Sequence, residues 1–498
     1  MSEAAFAGLD LGTSGLKGVV MSPDGELLAT ASAAYPTDRP MPGRAEQDPG
    51  DWWRAAVAVV ASLTSAVPAA RWSGIGLSAM IPTLVLADGA GEPLGPAITW
   101  EDDRADGEGE RFREAAGADA VYASTGQWVD GRYLLPMVRW IRREDPGRAA
   151  AAARILGAKD HLFRRLTGVD ATDPSTATGT GCYALTPGGW DEALAGPDAG
   201  RLPQVRPSTD AEPLRAEAAA ELGLPGGLPV ALGAADSVCG ALGIGATAPG
   251  ARVSLWGTST VILGVSDEPM RDRAHRYLVT PMALGGRGMQ GGLGMEGAWG
   301  LEMDLVSTGS AVAWLAELCG VTEDEAFGLA AEAPSGANGV SFLPYLGFGE
   351  QGALWDPTLR GAVHGLTLAS GRGDLARALL EGIALEVRRC LRVLDEAGLP
   401  AGPMSVAGVA TGSSAFAGML AGASGRGVRV VDDGRWASAR GAAIVAGAAT
   451  GAVDPAGMPP PAGRTIEPEP GEERMWDDLA RRHDRLLEAA RPLRSDDG

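Results

Sequence analysis

At 498 residues the chain is too long for one ordinary core and calls for two large domains, or three. Hydrophobic residues at 45% against 21% charged exclude a disordered chain. A net charge of −21 without a basic stripe argues against a nucleic-acid partner, yet leaves room for anionic ligands held locally by backbone amides or a metal.

In chain order, "AAFAGLDLGTSGLKGVVMS" reads as strand, tight turn and strand, not as the charged and apolar regions of an export signal. "AAVAVVASLTSAVPAA" (55–70) is short and small-sided, which predicts a buried helix rather than a membrane span. A cytoplasmic protein without a membrane partner is expected. Residues 74–88 hold two short β-like runs, and 134–144 and 160–168 are amphipathic helices with basic outer faces. "VALGAADSVCGALGIG" (230–245) is a small-residue, apolar stretch with Asp236 inside it. "ARVSLWGTSTVILGV" (251–265) repeats the strand, Gly-Thr-Ser, strand pattern, its Gly257 lying 245 positions after Gly12. The clearest long helix is 375–398, ending at Gly398, followed by the strand "GVRVVD" and the small-residue helix "ASARGAAIVAGAATG". Residues 451–473 read as a Pro/Gly-rich surface excursion before a closing amphipathic helix. Two similar halves of mixed strands and helices predict an α/β protein with a cleft between domains.

Three features carry chemistry. Asp236 is either the N-cap of the helix that follows or a carboxylate kept for catalysis, since an unpaired buried charge is costly. The Gly-Thr-Ser turns present backbone N–H groups and hydroxyls suited to phosphate, with Asp10 placed to hold Mg²⁺ and Lys17 to add charge. A lone turn of this kind is equally an ordinary hairpin with a solvated lysine; two facing a cleft favour a nucleotide phosphotransferase or ATPase. Cys182, Cys239, Cys319 and Cys390 are widely spaced with no CxxC pair, which argues against a disulfide framework or a thiolate zinc site, and the four histidines form no HExxH spacing, which weakens zinc-hydrolase readings.

Over nearly its whole length the chain resembles the FGGY family of carbohydrate kinases, of the xylulokinase and gluconokinase type. The resemblance rests, in order, on "LDLGTSGLKGVV", "PGRAEQDPGDWW", "LSAMIPTLVLADGAGEPLGPAITWEDDR", "LGAKDHLFRRLTGVDATDPSTATGTG", "GAADSVCGALGIGA", "SLWGTSTVIL", "FLPYLGFGEQGALWDPTLRGAVHGL" and "LARALLEGIALEV". It implies an α/β fold of two ribonuclease-H-like domains, of the superfamily of hexokinase, actin and Hsp70, flanking a catalytic cleft. Residues 1–245 would carry the sugar block and catalytic aspartate, 246–498 the nucleotide, with a hinge near 243–252. The resemblance makes Asp236 the general base and implies ATP and Mg²⁺. Gly12, Thr13, Ser14 and Lys17, with Gly257, Thr258 and Ser259, would hold the phosphates, and Asp10 the metal. The small neighbours of Asp236 would then admit substrate and phosphate. Ile81, Pro82, Trp100, Asp102 and Arg104 would contact the sugar, and Gly408, Gly412 and Ser413 the adenosine.

Departures from the family accompany these matches. Met80, Ile81 and Pro82 stand, in an ungapped alignment, where members often have Gln-Met-His. Met137 occupies a lysine position, which makes helix 134–144 structural. Gly412 replaces the basic residue of the adenosine block, and Gly418 and Gly422 its later Gln and Asp. The expected substrate is a neutral sugar, D-xylulose first. The only cations near the sugar block are Arg104, beside three carboxylates, and Arg132, so gluconate comes second, then other ketoses and polyols. A sugar sensor derived from such a kinase and a partner-driven ATPase are the readings from other classes. A homodimer is the assembly allowed for.

Overall fold

The computed structural model describes residues 4–284, 298–347, 352–356, 358–408 and 412–491. Its first sheet grows from a hairpin. Strands β1 (Ala5–Leu11) and β2 (Gly15–Met21) pair antiparallel, with Asp10 opposite Lys17 and turn 12–14 between them. β3 (Leu27–Ala34) lies antiparallel to β2, while β4 (Trp72–Ala79) joins the other side of β1 in parallel. β5 (Ala211–Pro213) and β6 (Pro229–Ala235) complete the order β5-β6-β4-β1-β2-β3, β6 parallel to β4 and β5 antiparallel at the edge.

The second sheet repeats this plan. It uses β7 (Arg252–Trp256), β8 (Thr260–Ser266), β9 (Leu278–Pro281), β10 (Trp299–Leu305), β11 (Met404–Gly408), β12 (Val428–Val431) and β13 (Gly463–Ile466). The order is β9-β10-β8-β7-β11-β12-β13. From β10 to β13 each pairing has the same sense as its counterpart from β3 to β5. The Gly-Thr-Ser echo is therefore the visible trace of two sheets of one design. β13 lies inside the stretch read as a surface excursion; as an exposed edge strand it lacks the apolar alternation that marks a strand.

Helices cover both sheets. α1 (Pro49–Ala66) starts where Asp48 accepts the N–H of Gly50 at 2.8 Å and Pro49 takes the first helical position. It buries Trp52, Ala56, Val59 and Leu63 along one stripe, against β2 and β3. α2 (Leu134–Glu144) and α3 (Ala158–Thr167) stand close to the expected positions. α4 (Asp236–Gly243) follows β6 directly. α5 (Arg372–Glu396) is the long helix, and α6 (Ser414–Ser424), α7 (Ala437–Ala449) and α8 (Glu473–Ala490) complete the second half. Among the described residues no helix is long and apolar enough to cross a membrane.

The two halves interlock through α4 and α7. A Cβ on Gly243 would lie 1.9 Å from the Ala437 carbonyl oxygen, and one on Gly441 1.9 Å from that of Cys239. α7 also sits on the first sheet, where a Cβ on Gly8 or Gly76 would come within 1.9 Å of the Ala439 or Ala442 carbonyl. Gly243 of α4 thus serves helix–helix contact, while Ser237, next to Asp236, lines a cavity.

Candidate active site

Both Gly-Thr-Ser turns open onto one cavity of about 370 Å³ between the sheets. Asp10, Gly12, Thr13, Ser14 and Lys17 line it from the first hairpin, and Gly257, Thr258 and Ser259 from the second. Ile81, Pro82, Trp100, Asp236 and Gly408 share the same wall. The fold therefore brings together most of the residues singled out from the sequence.

Asp236 is the first residue of α4, half-buried at the point where β6 passes into the helix. It is not the N-cap, a position held by Ala235. Its carboxylate accepts the N–H of neighbouring Ser237 at 2.9 Å instead of one two or three residues on, and its carbonyl accepts the Ser438 hydroxyl of α7 at 3.0 Å. Burial, and then the charges of Asp10 and Asp304, push this carboxyl up to about 7. A group so placed exchanges protons near neutrality.

What aims Asp236 lies behind it. Lys159 of α3 and Asp173 form a fully buried ion pair at 3.0 Å, and Lys159 also donates to the Leu232 carbonyl of β6 at 3.0 Å. Asp173 accepts the Ser175 hydroxyl and its N–H, and Ser175 Oγ in turn accepts the N–H of Ala235 at 2.9 Å. These hydrogen bonds offset the desolvation of the pair and fix the residue before Asp236.

The first turn is equally supported. The Thr13 carbonyl accepts from Gln47 Nε2 at 2.7 Å, Gln47 Oε1 accepts from the Trp52 indole at 2.9 Å, and the Tyr35 hydroxyl donates to the Gly12 carbonyl. Trp100 donates its indole N–H to Thr13 Oγ1 at 2.9 Å, so this tryptophan touches both the turn and the cavity. Asp10 is buried and accepts the Ser78 hydroxyl at 2.8 Å; burial raises its carboxyl above the usual range against the pull of Lys17. In the second turn a Cβ on Gly257 would meet only the Ser259 carbonyl, at 3.7 Å, leaving the space before it open.

Other expected residues stand elsewhere. Asp102 and Arg104 are outside the cavity wall, which corrects their expected sugar contact. The buried Asp102 carboxylate accepts from Ala45 N at 2.7 Å and Arg104 Nε at 2.7 Å, while Arg104 pairs with Glu46 at 2.7 Å and lies over the Trp140 ring. Gly412 and Ser413 are also outside the wall, Ser413 acting as the N-cap of α6 by accepting the N–H of Phe416. Residues 409–411 lie outside the described residues. Gly422 stands where a Cβ would meet the Trp476 indole nitrogen of α8 at 2.2 Å, a packing reason for its departure from the family pattern.

Several wall residues escaped the sequence reading: Gln127, Tyr133, Thr280, Glu302, Asp304 and Arg435. Thr280 donates to Glu302 at 3.0 Å; burial, with the charge of Asp236, raises the Glu302 carboxyl, and burial, with the charge of Glu302, raises that of Asp304. Their signal was present: "WGLEMDL" sets two carboxylates two residues apart in an apolar strand, hence on one face. Arg132 also lines the cavity, paired with Asp130 at 3.1 Å from its Nε.

Comparison with known proteins agrees with this architecture. Residues 5–243 match the N-terminal domain model of the FGGY family of carbohydrate kinases, and 253–450 its C-terminal domain model. The chain is similar to a gluconokinase of Bacillus subtilis, 29% identical over 78% of this chain and 76% of that one. It is 31% identical to a xylulose kinase of Klebsiella pneumoniae over 76% of each chain. The crystal structure of xylulose kinase from Rhodospirillum rubrum superposes with a TM-score of 0.85 at 31% identity, covering 98% of this chain and 99% of that one. With two family domains in order and both Gly-Thr-Ser turns on one cleft, the chain belongs to the FGGY family of carbohydrate kinases and is a sugar phosphotransferase.

Proposed function

We propose that the enzyme phosphorylates a hydroxyl of a small neutral sugar, D-xylulose first, with Mg-ATP as donor and Asp236 as general base. The observation that carries this reading is a carboxylate held near neutrality in the same cavity as two phosphate turns. Ionised Asp236 takes the proton of the sugar hydroxyl as its oxygen bonds to the γ-phosphorus; the bond to the bridging oxygen breaks and ADP leaves. Gly12, Thr13, Ser14 and Lys17 face the phosphates from one lobe, and Gly257, Thr258 and Ser259 from the other. Gly408 and Arg435 line the adenosine side, where Arg435 supplies the cation that Gly412 does not. Gly412 and Ser413 lead into α6 beyond them. We divide the lobes at 245/246; their closure excludes water from the γ-phosphate. The reaction belongs in the cytoplasm, where ATP is supplied.

Asp10 fits a Mg²⁺ site that shares its coordination with water and phosphate oxygens, because this hard ion needs only one or two carboxylates. Among the described residues no group of three His, Cys, Asp or Glu side chains could form a closed cage. When bound at Asp10, Mg²⁺ offsets phosphate charge beside the general base.

The charge of the wall favours a neutral acceptor. Asp10, Asp236, Glu302 and Asp304 all line the cavity, and Arg132 already answers to Asp130. With Lys17 and Arg435 assigned to ATP and Arg132 to Asp130, an aldonate would meet four carboxylates, whereas a ketose finds hydroxyl acceptors and the apolar surfaces of Ile81, Pro82 and Trp100. ADP release is to be measured with D-xylulose, D- and L-ribulose, erythritol, glycerol and gluconate. D-xylulose is expected to give the highest kcat/KM, and gluconate ahead of every neutral sugar would overturn the substrate. Release independent of sugar would overturn the kinase reading in favour of an ATPase, and sugar binding with no release would support a sensor.

A further inference from the structure

A second cavity, of about 440 Å³, lies against the other side of the segment that closes the active-site wall. Gly434 and Ala437 line both cavities. At this second cavity stands Arg440 of α7, only 8% exposed. Its Nε has no partner, and among the described residues its guanidinium makes no hydrogen bond or ion pair. The other buried arginines each have acceptors for part of the guanidinium, although the Arg252 Nε is also without a partner. Arg252 binds Asp395 at 2.8 Å and the Leu399 carbonyl at 3.1 Å, and Arg377 binds Glu381 at 2.7 Å and Ser335 at 3.0 Å. A planar fork of five donors left without acceptors at a cavity wall is what a ligand with several oxygens would complete.

The surrounding charges define the ligand. Burial, with the like charge of Arg429, holds the Arg440 guanidinium below its ordinary value, so nothing nearby neutralises it. Asp24, Glu26, Asp432 and Asp433 also line the cavity, but all four are exposed and solvated, where screening weakens their repulsion. The cavity therefore has a buried cation beneath an acidic, hydrated rim. We propose that it binds a small phosphate-bearing anion through Arg440, apart from the catalytic cleft. Ligand there would bear on Gly434 and Ala437, next to Arg435 and Ser438 of the active-site wall.

The test is calorimetric titration of the whole protein after its active site is saturated with Mg²⁺ and a non-hydrolysable ATP analogue, which removes the phosphate turns from the measurement. Inorganic phosphate and glycerol 3-phosphate are the two titrants. One further equivalent is expected to bind to the wild type, at least about tenfold more weakly to Arg440→Gln. Arg440→Lys, which keeps the charge and loses the fork, is expected to weaken binding several-fold, and it carries the comparison if the glutamine variant does not fold. Tighter binding of glycerol 3-phosphate would support an organic phosphate as the ligand, tighter binding of inorganic phosphate the free ion. Affinity unchanged in the folded variants, or no second equivalent on the wild type, would overturn the site.

Discussion

Asp236 works as a base only when ionised, so turnover should fall as pH drops through the region of its carboxyl, about 7 in the unliganded protein. Asp304 is one of the charges that raise it. Asp304→Asn removes that charge, so the acid limb of the kcat/KM profile should move to lower pH; a limb that stays in place or moves upward would contradict the electrostatic account. Asp236 was legible because a carboxylate in a run of alanines and glycines demands an explanation. Glu302 and Asp304 carry the same signature on β10, yet the family motifs drew attention elsewhere. Asp102 misled for the opposite reason. Its neighbour Trp100 does face the cavity, but sequence adjacency does not reveal that Asp102 turns inward to Ala45 and Arg104.

At the scale of elements, the second turn offers a clean test because Gly257 has open space where a side chain would stand. Gly257→Val should leave the thermal midpoint nearly unchanged while raising the KM for ATP by about tenfold or more, since only the ligand meets the new methyl groups. An unchanged KM would remove this turn from the phosphate site. Gly441→Ala should behave differently. Its methyl group would run into the Cys239 carbonyl, prise α7 from α4, and cost about 1–3 kcal/mol or more on denaturant unfolding. Turnover should fall with it, because α4 begins with Asp236. The turns could be read from sequence because Gly-Thr-Ser between two apolar runs has few structural meanings. The α4–α7 contact could not. Its helices lie about two hundred residues apart, and small residues alone do not name their partner.

For the whole molecule, two sheets with the same succession of pairing senses, joined by interlocking helices, make a body whose cleft gathers carboxylates. Asp236 has a folded-state carboxyl above the ordinary carboxylate range, so the folded protein binds this proton more tightly than the unfolded chain. Its contribution makes stability decline as pH rises from that ordinary range to about 7, and stability stays reduced above it. Asp236→Asn should therefore raise the unliganded Tm at pH 8 by about 1 °C, for a gain of about 1 kcal/mol after allowance for water in the cleft, and by less at pH 5. Differential scanning calorimetry at the two pH values checks this. The most direct test of the central claim is the steady-state turnover of the same variant with Mg-ATP and D-xylulose, beside its sugar affinity. The account predicts a kcat lower by about two to four orders of magnitude with sugar binding little changed. A variant that keeps most of its sugar-dependent ADP release would contradict it.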